Sequence, residues 1–521
     1  MDLDELRRPC SIKHGQACEL RLFLDLLVHF QRIKIDESQW IDEIRRNFSM
    51  NENESISFDQ FVNDYHPDDS FSWFIDDTPI HRIFTNALLN GNFRHLFYLR
   101  ILISDLQQQI ENHRCTTTRQ LYRFQWISKS EFIRFENPSR QYISSDSFLL
   151  TNSDRKSALT LLHQSNLFPK AYRPVLFIIH ADPSVINATS FTEINQLNSF
   201  RQENSVLFAF GAIFRIDQFS YSNQDQCWTV EMYLTDDNPN RSIFDAMRQE
   251  YQSGNTTSLL SLGRLARTVG KLDDADFFYK QYLKQNSNNQ INRAQCFHLL
   301  GNLALDQGHY QSSQGYHEES LKIRMNSLPI NESSLAYNYN SLGLVHWKLG
   351  NQTGSLEFFH KALEIWRRIY GDRDLKVAMC WNNIGIIYDD QKNYQHALNC
   401  YEKVLQIRLK VSPLVHRDLA DTSNNIGAVY HRLGYFDSAL TAFFFALNTY
   451  ENSSGVNHST IGSIWMNIGA TYQSQLKYHD AYDAYQTADN HLKYSLPHSH
   501  QDRLTIQRIV SNLTMKFTNG N

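Results

Sequence analysis

Apolar residues in the second half of the chain recur at helical spacing, three or four apart, and that pattern itself repeats. Leu262, Leu300, Leu342, Ile384, Ile426 and Ile468 each precede a glycine, at positions 263, 301, 343, 385, 427 and 469. The first interval is 38 residues and the next four are 42 each. Twelve residues after the glycines come Ala275, Ser313, Ser355, Ala397, Ala439 and Ala481. Two small residues per unit at a fixed offset predict two antiparallel helices packed so closely that bulk at either position would hold them apart. Aromatic residues share the register: Phe297, Tyr339, Trp381 and Trp465 stand four before a glycine, and Tyr279, Phe359, Tyr401, Phe443 and Tyr485 four after a small residue. Six helix pairs are expected over 258–500, with a capping helix and tail over 501–521. Pro329, Pro413 and Pro497, 84 residues apart, mark longer connections.

The first half has two textures. Over residues 1–112, apolar positions such as Leu20, Leu24 and Leu27, or Leu96, Leu99, Ile103 and Leu106, predict a helical lead-in. Beyond it, short β-branched and aromatic runs around 121–123, 147–151, 174–180, 206–211, 212–216 and 228–232 predict strands of an α+β domain over 113–240. Residues 241–257 are expected as a linker. The fold class is multidomain: an N-terminal α+β domain with a helical lead-in, then an all-α solenoid.

Composition narrows the function classes. The 50 basic and 55 acidic residues give a formal charge of −5 without long like-charge runs, so neither nucleic acid nor an anionic membrane is an expected partner. The apolar stretch Leu20–Phe30 contains Arg21 and Asp25 and is too short to span a bilayer. The acidic start lacks the apolar region of a secretory leader. Seven scattered cysteines form no C-x-x-C, which favours free thiols and a cytoplasmic location. The 21 histidines form no H-E-x-x-H or mixed Cys/His cluster, so no metal is expected.

Positions three before, one after and four after each glycine fall on one stripe of the first helix. They bring Asn340, Asn382 and Asn424 into one row, beside Trp347 and His431. A ladder of amides can hydrogen-bond the backbone of an extended peptide whatever its side chains, and this row is the expected peptide groove.

Two resemblances follow. The second half resembles the tetratricopeptide pattern W-x2-L-G-x2-Y followed by A-x3-F, in the 42-residue form of kinesin light chains, down to Asn-Asn-Ile-Gly at 382–385 and 424–427. Leu-Tyr-Arg at 121–123, Ser-Phe-Leu-Leu-Thr-Asn at 147–152 and Gln-Glu-Asn-Ser at 202–205 before a V-L strand resemble the arginine-type mono-ADP-ribosyltransferases. That resemblance implies NAD as a substrate, bound through Arg123, Thr151 and Ser147, with Glu203 and Ser205 at the catalytic pair. The family's second glutamate stabilises an oxocarbenium-like transition state, and Ser205 carries no charge for that task. Phe124 replaces the glycine that commonly follows the arginine. The implied protein is an interaction protein fused to a degenerate transferase-like domain. The alternative is an active NAD-dependent protein-arginine mono-ADP-ribosyltransferase whose repeats recruit its substrates.

Overall fold

The computed structural model describes residues 16–30, 38–48, 51–76, 78–133, 135, 142–145, 147–160, 172–185, 189–194, 204–236, 241–252, 257–327, 331–411, 417–451, 458–493 and 501–518. The chain forms two compact units, Met1–Tyr282 and Leu283–Asn521.

In the first unit, α1 (Gln16–Val28), α2 (Ser38–Asn47), α3 (Glu52–Asp64), α4 (Ser70–Ile75), α5 (Pro79–Asn90), α6 (Phe93–Tyr98) and α7 (Arg100–Asn112) form the lead-in. Leu22, Phe23, Leu96, Phe97, Ile103 and Leu106 fill its core. The sheet strands are β1 (Arg119–Ser128), β2 (Tyr142–Ser144), β3 (Leu149–Asn152), β4 (Tyr172–Ala181), β5 (Phe191–Glu193), β6 (Ser205–Phe208), β7 (Ile213–Ser222) and β8 (Cys227–Leu234). Their order is β2-β7-β8-β4-β1-β3-β6-β5, with only β4 and β8 parallel. One face carries a large core of Leu121, Val175, Phe177, Ile179, Val206, Phe208 and Val230. On the other, a short helix over 155–159 places Ala158 against Phe124, Trp126, Leu176 and Cys227.

Two boundaries differ from the sequence expectation. Residues 241–251, expected as linker, form a helix, whose Arg248 pairs with Asp25 of α1 at 3.0 Å. The first helix pair of the repeat register, Leu259–Thr268 and Leu272–Gln285, largely falls within the first unit. Its Phe277 and Phe278 pack edge-on to Phe97, and Phe278 also meets Phe23. Exposed aromatic bulk there would cost more than this docking does.

The second unit stacks further helix pairs. The first helices are α8 (Gln290–Asp306), α10 (Glu332–Lys348), α12 (Leu375–Asp390), α14 (Arg417–Arg432) and α16 (His458–Ser474). Their partners are α9 (Tyr310–Met325), α11 (Gln352–Tyr370), α13 (Tyr394–Val411), α15 (Phe436–Glu451) and α17 (Tyr478–Leu492), and α18 (Gln501–Thr518) closes the stack. The three spaced prolines lie outside the described residues. Asn289, Asn331, Asn351 and Asp374 cap four of these helices with a side-chain oxygen. Leu300, Leu342, Ile384, Ile426 and Ile468 are buried as the register requires.

The glycines are explained by a ring. A Cβ on Gly343, Gly385 or Gly427 would lie 2.6, 2.7 or 2.7 Å from a ring carbon of Phe359, Tyr401 or Phe443, sixteen residues on. Gly263 and Gly301 meet Tyr279 and His317 at 2.4 and 2.7 Å in the same way. The small residue sits one turn before the ring, and where it is serine its hydroxyl donates to the glycine carbonyl: Ser313 to Gly301 at 2.7 Å, Ser355 to Gly343 at 2.8 Å.

Replacing Gly385 by leucine should therefore destabilise the second unit by roughly 3 kcal/mol, since overpacking at a buried ring outweighs the ~1 kcal/mol that helix propensity returns. Adding Tyr401→Ala to Gly385→Leu should cost less than Tyr401→Ala costs alone. Urea melts of the four chains measure this, and strict additivity would show that the ring is not what the glycine accommodates.

Candidate functional site

Two regions hold the residues singled out by the sequence, one in each unit. In the second unit the amide row exists and is wired sideways. Asn383 Nδ2 donates to Asn340 Oδ1 at 3.0 Å, Asn425 Nδ2 to Asn382 Oδ1 at 3.4 Å, and Asn467 Nδ2 to Asn424 Oδ1 at 3.0 Å. Each bond joins residues 43 apart, one repeat plus one position, because adjacent first helices lie side by side. Asn340 is 7 % exposed, while Asn382 and Asn424 are half-buried. Each oxygen is thus committed to a neighbouring repeat, and the Nδ2 protons are what the row has left to donate. The donating row at 383, 425 and 467 was missed from sequence. Its signal was present at 383 and 425 as the second asparagine of each Asn-Asn pair, whereas Asn467 follows Met466.

A turn further along, the same helices are joined again. Trp347 Nε1 donates to Asp390 Oδ2 at 2.6 Å, Arg432 pairs with Asp389, and His431 Nδ1 lies 3.1 Å from Thr471 Oγ1. Burial, and secondly the Arg432 charge, hold His431 below the usual histidine range. Leu344, Ile386 and Ala428 supply half-buried apolar surface between the two polar rows. Together these side chains offer donors, short apolar steps and fixed charge pairs. Such a surface can grip an extended chain.

In the first unit, β1, β3 and β6 are neighbours, so Arg123, Thr151 and Ser205 lie on three adjacent strands. The register then separates them. Arg123 is paired with Phe177 and Thr151 with Val206, both residues of the large core face. Ser205 is paired with Asn152, and Asn152 with Tyr122, which places these three on the opposite face. Arg123 Nη1 donates to Leu150 O at 2.6 Å, and Thr151 Oγ1 to Val206 O at 2.9 Å. Ser147 Oγ donates to Phe148 O at 3.3 Å. Ser205 is 4 % exposed. Glu203 lies outside the described residues. Asn204, next to it, takes a left-handed φ of 70° and its carbonyl accepts from Ser153 N at 2.8 Å.

Sequence reasoning did not find the pair of His180 and Glu231, 2.6 Å apart on β4 and β8, with Tyr233 stacked on the imidazole at 4.5 Å. Its partners are 51 residues apart and only the parallel pairing of the two strands joins them. Among the described residues, no three His, Cys, Asp or Glu side chains converge as a metal site, and no helix is long and apolar enough to cross a membrane. Described cysteines 115, 227, 296, 380 and 400 are free thiols, and burial pushes Cys227 and Cys296 up to about 11 and about 12.

A family profile described as Tetratricopeptide repeat matches residues 333–410. No curated protein matches the chain. Among solved structures, BtubC (BKLC) from P. vanneervenii is 18 % identical over 44 % of this chain and 94 % of its own, with a TM-score of 0.38. A kinesin light chain with nearly identical TPR-like repeats from Podosopora anserina is 14 % identical over 40 % of this chain and 100 % of its own, with a TM-score of 0.34. The apo form of RapI is 17 % identical over 50 % and 98 %, with a TM-score of 0.36. The C-terminal region of this chain carries tetratricopeptide repeats.

Proposed function

We propose that the protein binds a protein partner as an extended peptide in the groove marked by Asn340, Asn382, Asn424, Trp347 and His431. The observation that carries this reading is the sideways wiring of the amide row. An asparagine held by its neighbour has already lost its rotamer freedom, so a peptide carbonyl that accepts from Nδ2 is met by a fixed donor. The first unit, on this reading, is an ADP-ribosyltransferase-like scaffold with little or no transfer activity. Ser205 brings no carboxylate, and its register sets it on the face away from Arg123. The competing reading, NAD-dependent transfer to arginines of recruited proteins, draws support from the order of Arg123, Thr151 and Ser205 on adjacent strands.

Asn382→Asp and Asn424→Asp separate binding from stability. A carboxylate still accepts from Asn425 or Asn467, so the sideways bond survives, but the groove-side donor becomes an acceptor. Peptides selected on the full chain from a displayed random library should bind the double variant about 100-fold more weakly, a factor of about ten per position, with the melting temperature held within about 2 °C. Unchanged affinity would move the site off this face.

For the first unit, titration calorimetry and an NAD-hydrolysis assay on the full chain should give no turnover above background. Ser205→Glu should not create it, because a charge restored on one face leaves Arg123 on the other. A gain of tenfold or more in that variant would make the missing carboxylate the sole defect, and the transferase reading would then stand.

A further inference from the structure

The junctions between repeats carry a second period, twice the first. Twenty-three residues after the register glycine stand Arg324, Trp366, Arg408 and Tyr450 in turn. The two arginine junctions correspond residue for residue at a spacing of 84. Arg408 of α13 donates to the Asp418 carbonyl and to Thr422 Oγ1 of α14, and its Nη2 lies 3.6 Å from Asp418 Oδ2. Arg324 of α9 donates to the Ser334 carbonyl and, at 2.7 Å, to Asn338 Oδ1 of α10. Asn338 is wholly buried and fixed, its Nδ2 donating to His317 O at 3.0 Å.

Besides Asn338 standing where the later junction has Thr422, the junctions differ in charge. Where Asp418 brings a carboxylate to the guanidinium, the corresponding position holds Ser334, whose backbone carbonyl accepts from Arg324 and whose side chain is a neutral hydroxyl. Among the described residues Arg324 has no carboxylate partner, and its acceptors are both neutral. Burial alone pushes Arg324 down to about 10, whereas for Arg408 the charges of Asp418 and Asp421 oppose the effect of burial. A withdrawn cation without an anion is an under-compensated arrangement, and it sits beside a half-buried serine whose Oγ has no hydrogen-bond partner among the described residues.

We propose that Ser334 is a phosphorylation site and that Arg324 is the built-in receptor of its phosphate. A serine kinase acting in trans supplies a nucleoside triphosphate. Ser334 Oγ forms the new bond to the γ-phosphorus, the bond to the bridging β,γ-oxygen breaks, the nucleoside diphosphate leaves with that electron pair, and the hydroxyl proton passes to the kinase base. The phosphoserine then occupies the place that Asp418 holds one period later, and its oxygens offer the guanidinium charge-assisted hydrogen bonds. The effect is to fasten α10 to α9, joining the second and third repeats as the acid already joins the fourth and fifth.

The test installs phosphoserine co-translationally at 334 in the full chain. The melting temperature of the second unit should rise by about 3 °C, and the second phosphate ionisation, followed by phosphorus NMR, should fall about one unit below its usual value near 6. Arg324→Gln should abolish both shifts. Phosphoserine at 333, in the same helical turn, should show neither at that size, because Ser333 faces Tyr370. Equal shifts at 333 and 334, or shifts that survive Arg324→Gln, would reduce the effect to the helix terminus and overturn the proposal. If the phosphorylated chain does not fold, Ser334→Asp serves instead: it should raise the melting temperature only while Arg324 is present, and an Arg324-independent rise refutes the receptor. Tryptic mapping of the chain from its own cells should find phosphate on Ser334. That peptide found only unmodified, or with phosphate on Ser333 alone, overturns the modification.

Discussion

The array depends on an aromatic ring packed directly against a glycine. At 263, 301, 343, 385, 427 and 469 a Cβ would fall between 2.4 and 3.0 Å from ring atoms of Tyr279, His317, Phe359, Tyr401, Phe443 and Tyr485. A glycine within a helix costs about 1 kcal/mol relative to alanine, and here that cost recurs in every unit. It is offset because the ring takes the space of the absent side chain and is buried almost completely, as Tyr279, Phe359, Tyr401 and Phe443 are. His317 keeps the shape with a polar ring, and His298 lies beside it at 5.1 Å. The close approach also lets Ser313 and Ser355 reach the glycine carbonyls, so one contact sets both the distance and the register of the helix pair.

Once each pair is fixed, the next can be matched to it. The amide bonds from 383 to 340, 425 to 382 and 467 to 424 need adjacent first helices to hold a constant separation and stagger. So do the contacts of Trp347 with Asp390 and of Arg432 with Asp389. On the proposed reading, stability and recognition draw on the same residues by different atoms: the oxygens of Asn340, Asn382 and Asn424 accept from the neighbouring repeat, and their Nδ2 groups are left to donate. In such a stack each repeat contacts only its neighbours, so an alteration at one junction stays local.

The repeats were legible because their determinants are local. Glycine, small residue and ring lie within seventeen positions, and helical spacing alone brings them together. The sideways bonds were not legible, since the 43-residue step depends on how neighbouring helices are offset. The first unit shows the same limit more sharply. Strands such as Tyr172–Ala181 announce themselves by composition, whereas Tyr142–Ser144 and Phe191–Glu193 are three residues each and carry no pattern of their own. The order of Arg123, Thr151 and Ser205 could be read from sequence, but their faces could not. A slip of one residue in the pairing of Asn152 with Ser205 would reverse the result. The grouping of the first helix pair with the lead-in rested on Phe277 and Phe278, whose partners Phe23 and Phe97 are about 250 and 180 residues away in the chain.

The two candidate regions differ in what their polar groups still have to offer. On the sheet, Arg123 and Thr151 donate to the carbonyls of Leu150 and Val206, groups of the sheet itself. Drawing the guanidinium to a phosphate would break a bond that holds β1 to β3. In the groove, recruiting an Nδ2 proton breaks nothing, because the bond that orders the side chain is made by the other end of the amide. The same logic governs the junction at Arg324, where neutral oxygens hold the guanidinium in place and leave its charge unanswered. Function in this chain is expected where ordering and recognition use different atoms of one side chain, and the repeats meet that condition far more often than the sheet does.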